Sequence, residues 1–306
     1  MARKKRDGRS SLAYQMRESI NQNFSEGKSK RAAKMSEGGR GASVYSYSHR
    51  KSLIEFSTQF ANYCKSEFGV KNVKDVTREH AQAFLNEKAK MCSDTTLKTY
   101  HQHLNKIDKC FKSSYKSYKS DLTQGVVIPA GTNQTKLRDV KISRESMNKV
   151  LDKLDMRHAT HRAIACAEAL GLRASESAKI KGEHINLEKG VVSVVGKGGR
   201  YREVKIPEDR QGVLSSIKEM CGDGRIAPVK TDSVNVTFNR ICEREGIDDL
   251  EGTKSGIHAV RKLWATELYE EKLEEGMSEK EAWSDVSEEL GHGRDRPDLF
   301  KTYIVG

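Results

Sequence analysis

A mostly helical, two-domain protein with one small three-stranded β-meander is the fold this sequence predicts, and three observations carry the prediction. Apolar residues recur at three- and four-residue spacings through most of the chain. Three short β-rich runs crowd between residues 185 and 206, separated by glycine turns. A polar stretch marked by Gly125, Pro129 and Gly131 interrupts the helical pattern. At 306 residues, the chain is long enough for two domains that each bury a core.

Composition narrows the class. Apolar residues make up 36% and charged residues 32%, a polar balance that still permits folding. Lys and Arg number 55 against 43 Asp and Glu, a surplus that favours a polyanionic partner through counterion release. The charge is uneven: residues 1–40 carry +7 and residues 263–290 carry −8. Such a chain can lay its basic side on a polyanion and turn the acidic side outward, or it can simply carry an exposed acidic helix. Cys64, Cys92, Cys110, Cys166, Cys221 and Cys242 show no CxxC pairing or ligand spacing. Reduced thiols are therefore expected, with neither a disulfide framework nor a zinc site. No apolar run approaches the roughly 20 residues that span a bilayer, and no signal-peptide core is present. The expectation is a cytoplasmic protein without a membrane partner.

Taken in order, residues 1–43 read as a basic flexible N-terminal arm. They are rich in Lys, Arg, Ser and Gly, end in Glu37-Gly38-Gly39-Arg40-Gly41-Ala42-Ser43, and hold too few aliphatics to offset the entropy of ordering. Ser10 to Phe24 is the one candidate helix within them. The segment suits an arm that follows a polyanion and a solvated tail equally well. Residues 44–122 read as a helical domain. Leu53, Phe56, Phe60 and Tyr63 form one stripe, Ala81, Phe84 and Leu85 a second after the cap-like Thr77, and Leu97, Tyr100, Leu104 and Ile107 a third. Residues 123–138 read as the linker.

Residues 139–306 form the second predicted domain. Ser143 caps a helix to Leu154, with Glu145 near the positive end of its dipole. A second helix runs from His158 to Leu170 and stops at Gly171. Ile185–Leu187, Val191–Val195 and Arg202–Ile206 are the strands of the meander. Helices follow over Gln211–Met220, Ser233–Glu245, Gly256–Glu271 and Ser278–Leu290.

Five motifs in this domain carry chemistry. They are Gly171-Leu172-Arg173-Ala174-Ser175-Glu176, Gly196-Lys197-Gly198-Gly199, Ile257-His258-Ala259-Val260-Arg261, Glu289-Leu290-Gly291-His292 and Phe300-Lys301-Thr302-Tyr303. His258 and Arg261 lie three residues apart, so a helix projects both from one face toward a common anion. Arginine suits an anion clamp because its planar fork makes two charge-assisted bonds and keeps its proton. Lys197 sits between glycines that let a hairpin turn tightly. Each motif is weak alone. In this combination and order, from about Val44 to Tyr303, they resemble the tyrosine recombinase, or phage integrase, family.

The resemblance implies a SAM-like core-binding domain followed by the catalytic domain, the two forming a C-shaped clamp on double-stranded DNA. It assigns Arg173 and Arg261 to the scissile phosphate, Lys197 as general acid toward the 5′ leaving oxygen, His258 as an acid/base residue and His292 as a phosphate hydrogen-bond donor. Glu176 becomes a supporting residue and Tyr303 the nucleophile of a 3′-phosphotyrosyl intermediate. One phosphoester replaces another, so neither ATP, a metal nor another cofactor is implied. A homotetramer acting through a Holliday junction, accessory DNA-bending or directionality proteins, and a nucleoid-associated location are also implied. Type IB topoisomerase-like relaxation and non-catalytic DNA binding remain alternatives. Two features depart from the family pattern: Tyr303 follows His292 by eleven residues rather than about nine, and the sequence stops at Gly306, where many relatives carry a further helix. A longer loop is expected to absorb the first difference.

Overall fold

The computed structural model describes residues 10–28, 33, 41–133, 140–196, 199–253, 255–294 and 296–304. Two compact units divide between Thr135 and Lys136. Each buries its own core.

The first unit contains α1 (Leu12–Gln22), α2 (Tyr47–Phe68), α3 (Arg78–Ala89) and α4 (Asp94–Ser114). Ser46 begins α2 by accepting a hydrogen bond from the His49 amide at 3.2 Å, and Gly69, at φ 65°, ends it. The predicted stripes meet in one core: Leu53, Phe56, Phe60, Phe84, Leu97 and Leu104 are fully or almost fully buried. Phe84 stands edge-on to both Phe56 and Phe60, with ring centroids 5.7 and 5.2 Å away.

Two sequence expectations change here. Residues 12–22 do not belong to a flexible arm. Leu12, Met16 and Ile20, one helical turn apart, are buried in the first core, and α1 packs on α2 and α4. Further hydrogen bonds hold it: the Tyr115 hydroxyl donates to the Gln15 carbonyl at 2.8 Å, and the Arg50 guanidinium donates to Asn21 Oδ1. The stripe is short, and averaging over a polar 43-residue segment hides it. The burial that stabilises α1 comes from helices further along the chain. Residues 1–9 of the expected arm, and all of 29–40 but residue 33, lie outside the described residues.

The expected linker also starts too early. Through Asn133 the chain is fastened to the first unit: Val127 exchanges two hydrogen bonds with the Gln82 side chain, and the Gly131 amide donates to Asp94 Oδ1 at 2.7 Å. Glycine and proline end the helical pattern there without removing backbone partners. Residues 134–138, the rest of that linker, lie outside the described residues.

The second unit runs through α5 (Arg144–Leu151), α6 (Ala159–Ala169), the one-turn α7 (Ala174–Ser177), β1 (Ile185–Asn186), β2 (Val191–Val195), β3 (Tyr201–Lys205), α8 (Gln211–Cys221), α9 (Thr231–Arg244), α10 (Ile257–Glu274), α11 (Glu279–Glu289) and the one-turn α12 (Phe300–Tyr303). The strands form the expected antiparallel meander, β1-β2-β3, with Val192 opposite both Ile185 and Val204. Small buried residues Ala163, Ala165, Cys166, Ala167 and Ala169 let α6 lie at the centre of the core against α9 and α10. A satellite core joins α10, α11 and α12 through Tyr269, Trp283, Val286 and Leu290 and includes Tyr303. Among the described residues, no helix is long and apolar enough to cross a membrane.

The packing of α1 is open to measurement. Replacing Ile20 with Ala should lower unfolding free energy by about 2–5 kcal/mol in urea titrations, as for other buried aliphatic truncations. A change within about 0.5 kcal/mol, as at an exposed position, would instead mean that α1 adds nothing to the first core.

Candidate active site

Local backbone geometry positions each side chain. Gly171, at φ +58°, turns the chain out of α6 and brings Arg173 to the start of α7. A Cβ at Gly171 would stand 2.3 Å from the Trp264 ring, so close packing as well as backbone conformation requires glycine. Glu176 folds back to accept the Arg173 amide at 3.0 Å and the Arg173 Nη1–H at 2.8 Å. At the start of α10, the Ile257 amide donates to Asn235 Oδ1 of α9 at 3.1 Å, satisfying a donor at the helix start, and Arg261 follows one turn later.

Arg261 is 0% exposed. Its Nη1 donates to the Gly171 carbonyl at 2.6 Å and its Nη2 to the Leu290 carbonyl at 2.5 Å. Its Nε is buried with no hydrogen-bond partner among the described residues. Gly291, at φ +76°, ends α11 and turns His292 inward. His292 Nε2 lies 3.1 Å from Arg173 Nη2 and 3.0 Å from the Tyr303 hydroxyl. Because a guanidinium nitrogen only donates, Nε2 must accept, which assigns the neutral ring's proton to Nδ1 and makes the tyrosine hydroxyl a donor to the same Nε2.

Tyr303 is 4% exposed. Its ring centroid is 5.6 Å from Arg261 Cζ and 5.5 Å from the His258 ring, which meets it edge-on. The eleven-residue spacing from His292 therefore still brings the two side chains into hydrogen-bond contact. Ser287 Oγ donates to the Gly293 carbonyl at 2.7 Å, and Trp283 Nε1 donates to the Arg296 carbonyl at 3.1 Å, pinning the intervening segment to α11.

Six of the seven sequence-predicted site residues thus come together: Arg173, Glu176, His258, Arg261, His292 and Tyr303. Lys197 lies outside the described residues. The hairpin around it is closed by the Val195–Tyr201 pair and by the Gly196 amide donating to the Arg200 carbonyl at 2.7 Å. The sequence reading missed Arg202. From β3, its Nη1 and Nη2 donate to the two Glu176 oxygens at 3.2 and 3.1 Å. A signal was present: Arg202 shares strand parity with Val204 and Ile206, so a charge occupies an inward position.

Charge dominates the pocket. Three guanidiniums surround one buried carboxylate, Glu176, with Arg261 Nη1 3.6 Å from it. Burial alone would raise the Glu176 carboxyl, but hydrogen bonds from Arg202 and the charges of Arg261 and Arg202 outweigh it and hold the group down at about 2. Burial, and then Arg173 close by, bring Arg261 down to about 10, which leaves it charged near neutral pH. Burial, followed by the charges of Arg261 and Arg173, lowers His292 to about 4. With His292 neutral, these three arginines and Glu176 carry a net charge of +2, suited to an oxyanion such as a phosphate.

Residues 140–287 match the family model described as the phage integrase family. That region belongs to the phage integrase family. The match includes Arg173, Glu176, Arg202, His258 and Arg261, and stops short of His292 and Tyr303, which the geometry brings into the same pocket. Solved structures share the fold. XerH site-specific recombinase bound to a palindromic difH substrate in a post-cleavage complex is 17% identical, with 96% of this chain and 91% of that chain covered and a TM-score of 0.66. A lambda integrase tetramer bound to a Holliday junction is 14% identical, with 96% and 78% covered and a TM-score of 0.65. The Tn1549 transposon integrase in complex with a circular-intermediate DNA is 14% identical, with 97% and 95% covered and a TM-score of 0.58. No curated protein matches the chain.

The pocket carries a pH signature. His292 has a folded pKa below the ordinary imidazole value, so the unfolded chain binds its proton first and stability falls with pH between about 6.5 and about 4. Replacing His292 with Asn should remove that part of the slope. Comparing urea midpoints of the two proteins at pH 7 and pH 4.5 checks this: wild type should lose more stability on acidification than His292→Asn. Equal losses would mean that His292 titrates normally.

Proposed function

We propose that the protein is a site-specific recombinase or integrase that breaks and rejoins double-stranded DNA through Tyr303. One observation carries the reading: Arg173 and Arg261, distant in sequence, both approach Glu176 beside the hydroxyl of Tyr303. Such a cluster can hold both non-bridging oxygens of a phosphodiester and stabilise the charge that gathers on them in the transition state. Arg173, the more exposed of the pair, meets the phosphate first, and Arg261 has an unused Nε–H to offer.

The tyrosine oxygen attacks phosphorus, its proton passes to the acid/base residue His258, whose ring meets the tyrosine edge-on, and the 5′ oxygen departs with a proton assigned to Lys197. A 3′-phosphotyrosyl bond replaces the phosphodiester, conserving the bond energy for rejoining. Here the Tyr303 ring covers Arg261, so DNA entry requires that ring to move aside and expose the guanidinium. The first unit would add DNA contacts of its own. Pairing of two sites by a homotetramer, with strand exchange through a Holliday junction, fits the assembly in which the lambda integrase was solved. Accessory DNA-bending or directionality proteins would act on that assembly.

The deciding measurement uses a duplex selected by binding from a randomised pool and nicked near its centre, so that cleavage traps a covalent product. Wild type should yield a protein–DNA adduct that resists denaturing electrophoresis. Tyr303→Phe should bind the duplex and yield none; an adduct of undiminished yield would remove Tyr303 as the nucleophile. Arg173→Ala should slow adduct formation about 10²–10³-fold, as for other preorganised oxyanion donors. Recombinant junctions from two-site plasmids distinguish recombination from relaxation alone.

A further inference from the structure

Arg202 occupies a junction that the phosphate clamp does not by itself explain. It lies on β3 opposite Val194, in the hairpin whose turn carries Lys197, and its side chain is largely buried. Its guanidinium makes three directed contacts. Nη1 reaches Glu176 Oε1 at 3.2 Å, Nη2 reaches Glu176 Oε2 at 3.1 Å, and Nε donates to the Glu289 carbonyl at 2.9 Å, three residues before His292. Two glycines close around it. A Cβ at Gly196 would stand 3.3 Å from Arg202 Nη1 and 3.1 Å from Glu176 Oε1, and one at Gly291 would stand 3.2 Å from Nη1. Three segments therefore meet on this single side chain: the hairpin, the Arg173–Glu176 turn and the turn that presents His292.

We propose that Arg202 is a positioning residue that acts through Glu176, registering the Lys197 hairpin against the Arg173–His292 pair. The inference rests on the recombinase reading above. Glu176 competes with an incoming phosphate for the N–H groups of Arg173 and Arg261. By donating to both carboxylate oxygens, Arg202 satisfies much of that demand, and Arg261 Nη1 stays 3.6 Å away rather than closing into a tight pair. Without Arg202, Glu176 draws the other two guanidiniums toward itself, and the hairpin loses its fastening to the site. Lysine cannot replace it, because one ammonium nitrogen cannot span two carboxylate oxygens and a carbonyl in fixed directions.

The test is single-turnover adduct formation on the selected, nicked duplex at saturating protein, with binding affinity and thermal melting measured in parallel. Arg202→Lys should melt near wild type and bind DNA within about threefold, yet form adduct about 10–100-fold more slowly, the range for groups that orient ligands at metal centres. Arg202→Met should be slow in the wild-type background but add little to Glu176→Gln, because its effect runs through that carboxylate. A wild-type rate for Arg202→Lys, or losses that multiply fully in the double variant, would overturn the proposal. Absence of any adduct from wild type would instead remove the recombinase reading, and this inference with it.

Discussion

An ionised carboxylate in a protein interior must find partners whose charge and hydrogen bonds replace the water it has lost, because desolvation opposes the charged form strongly. Glu176, 3% exposed, finds three guanidiniums and a backbone amide. The relation works in both directions. Arg173, Arg202 and Arg261 come from different parts of the chain and would repel one another in this space without an anion among them. Removing one partner from such a buried arrangement costs about 3–5 kcal/mol, because the others are left uncompensated. The placement of α7, β3 and α10 is thus tied to one carboxylate, which leaves the pocket two positive charges in excess.

The two arginines of the proposed clamp are not equivalent, and the difference follows from what each already holds. Arg261 ties the end of α6 to the end of α11 through the Gly171 and Leu290 carbonyls. Those carbonyls belong to helix ends, where acceptors lack intrahelical partners. Arg261 therefore braces the fold as well as charging the pocket, and its loss would disturb both. Arg173 spends one nitrogen on Glu176 and another on His292, and its side chain retains access to solvent. Stability and ligand contact are more nearly separable at Arg173 than at Arg261.

Much of this arrangement could be read along the chain because it depends on local rules. Gly171 after an alanine-rich helix signals a left-handed exit, His258 and Arg261 share a helix face, and the meander follows from β-rich runs and glycine turns. What escaped the reading depends on distant partners. The burial of Met16 and Ile20 needs α2 and α4, and the ordering of residues 123–133 needs the Gln82 and Asp94 side chains. Arg202 lies between these cases. Its inward parity on β3 was visible, but its target, Glu176, sits twenty-six residues away across a turn that no periodicity predicts. Electrostatic partners with such separations are set by the tertiary fold.

Tyr303 shows how the same contacts that arm the site also close it. Phe300, one turn earlier, lies edge-on to Trp283 and Tyr269 with centroids 5.4 and 5.5 Å away, which anchors α12 to α10 and α11. Tyr303 itself has a mixed environment: apolar contacts on the satellite core, a hydroxyl on His292 and a ring face over Arg261. Moving that ring into solvent would cost on the order of 1.5–3 kcal/mol of buried apolar surface. A phosphate arriving at Arg261 and Arg173 would gain hydrogen bonds to charged donors, each contributing about 1.5–3 kcal/mol. On the recombinase reading, two such bonds offset the exposure of the ring. The covered arrangement is then favoured in the free protein and the open one on DNA, with Phe300 keeping the short helix in place while the tyrosine side chain turns.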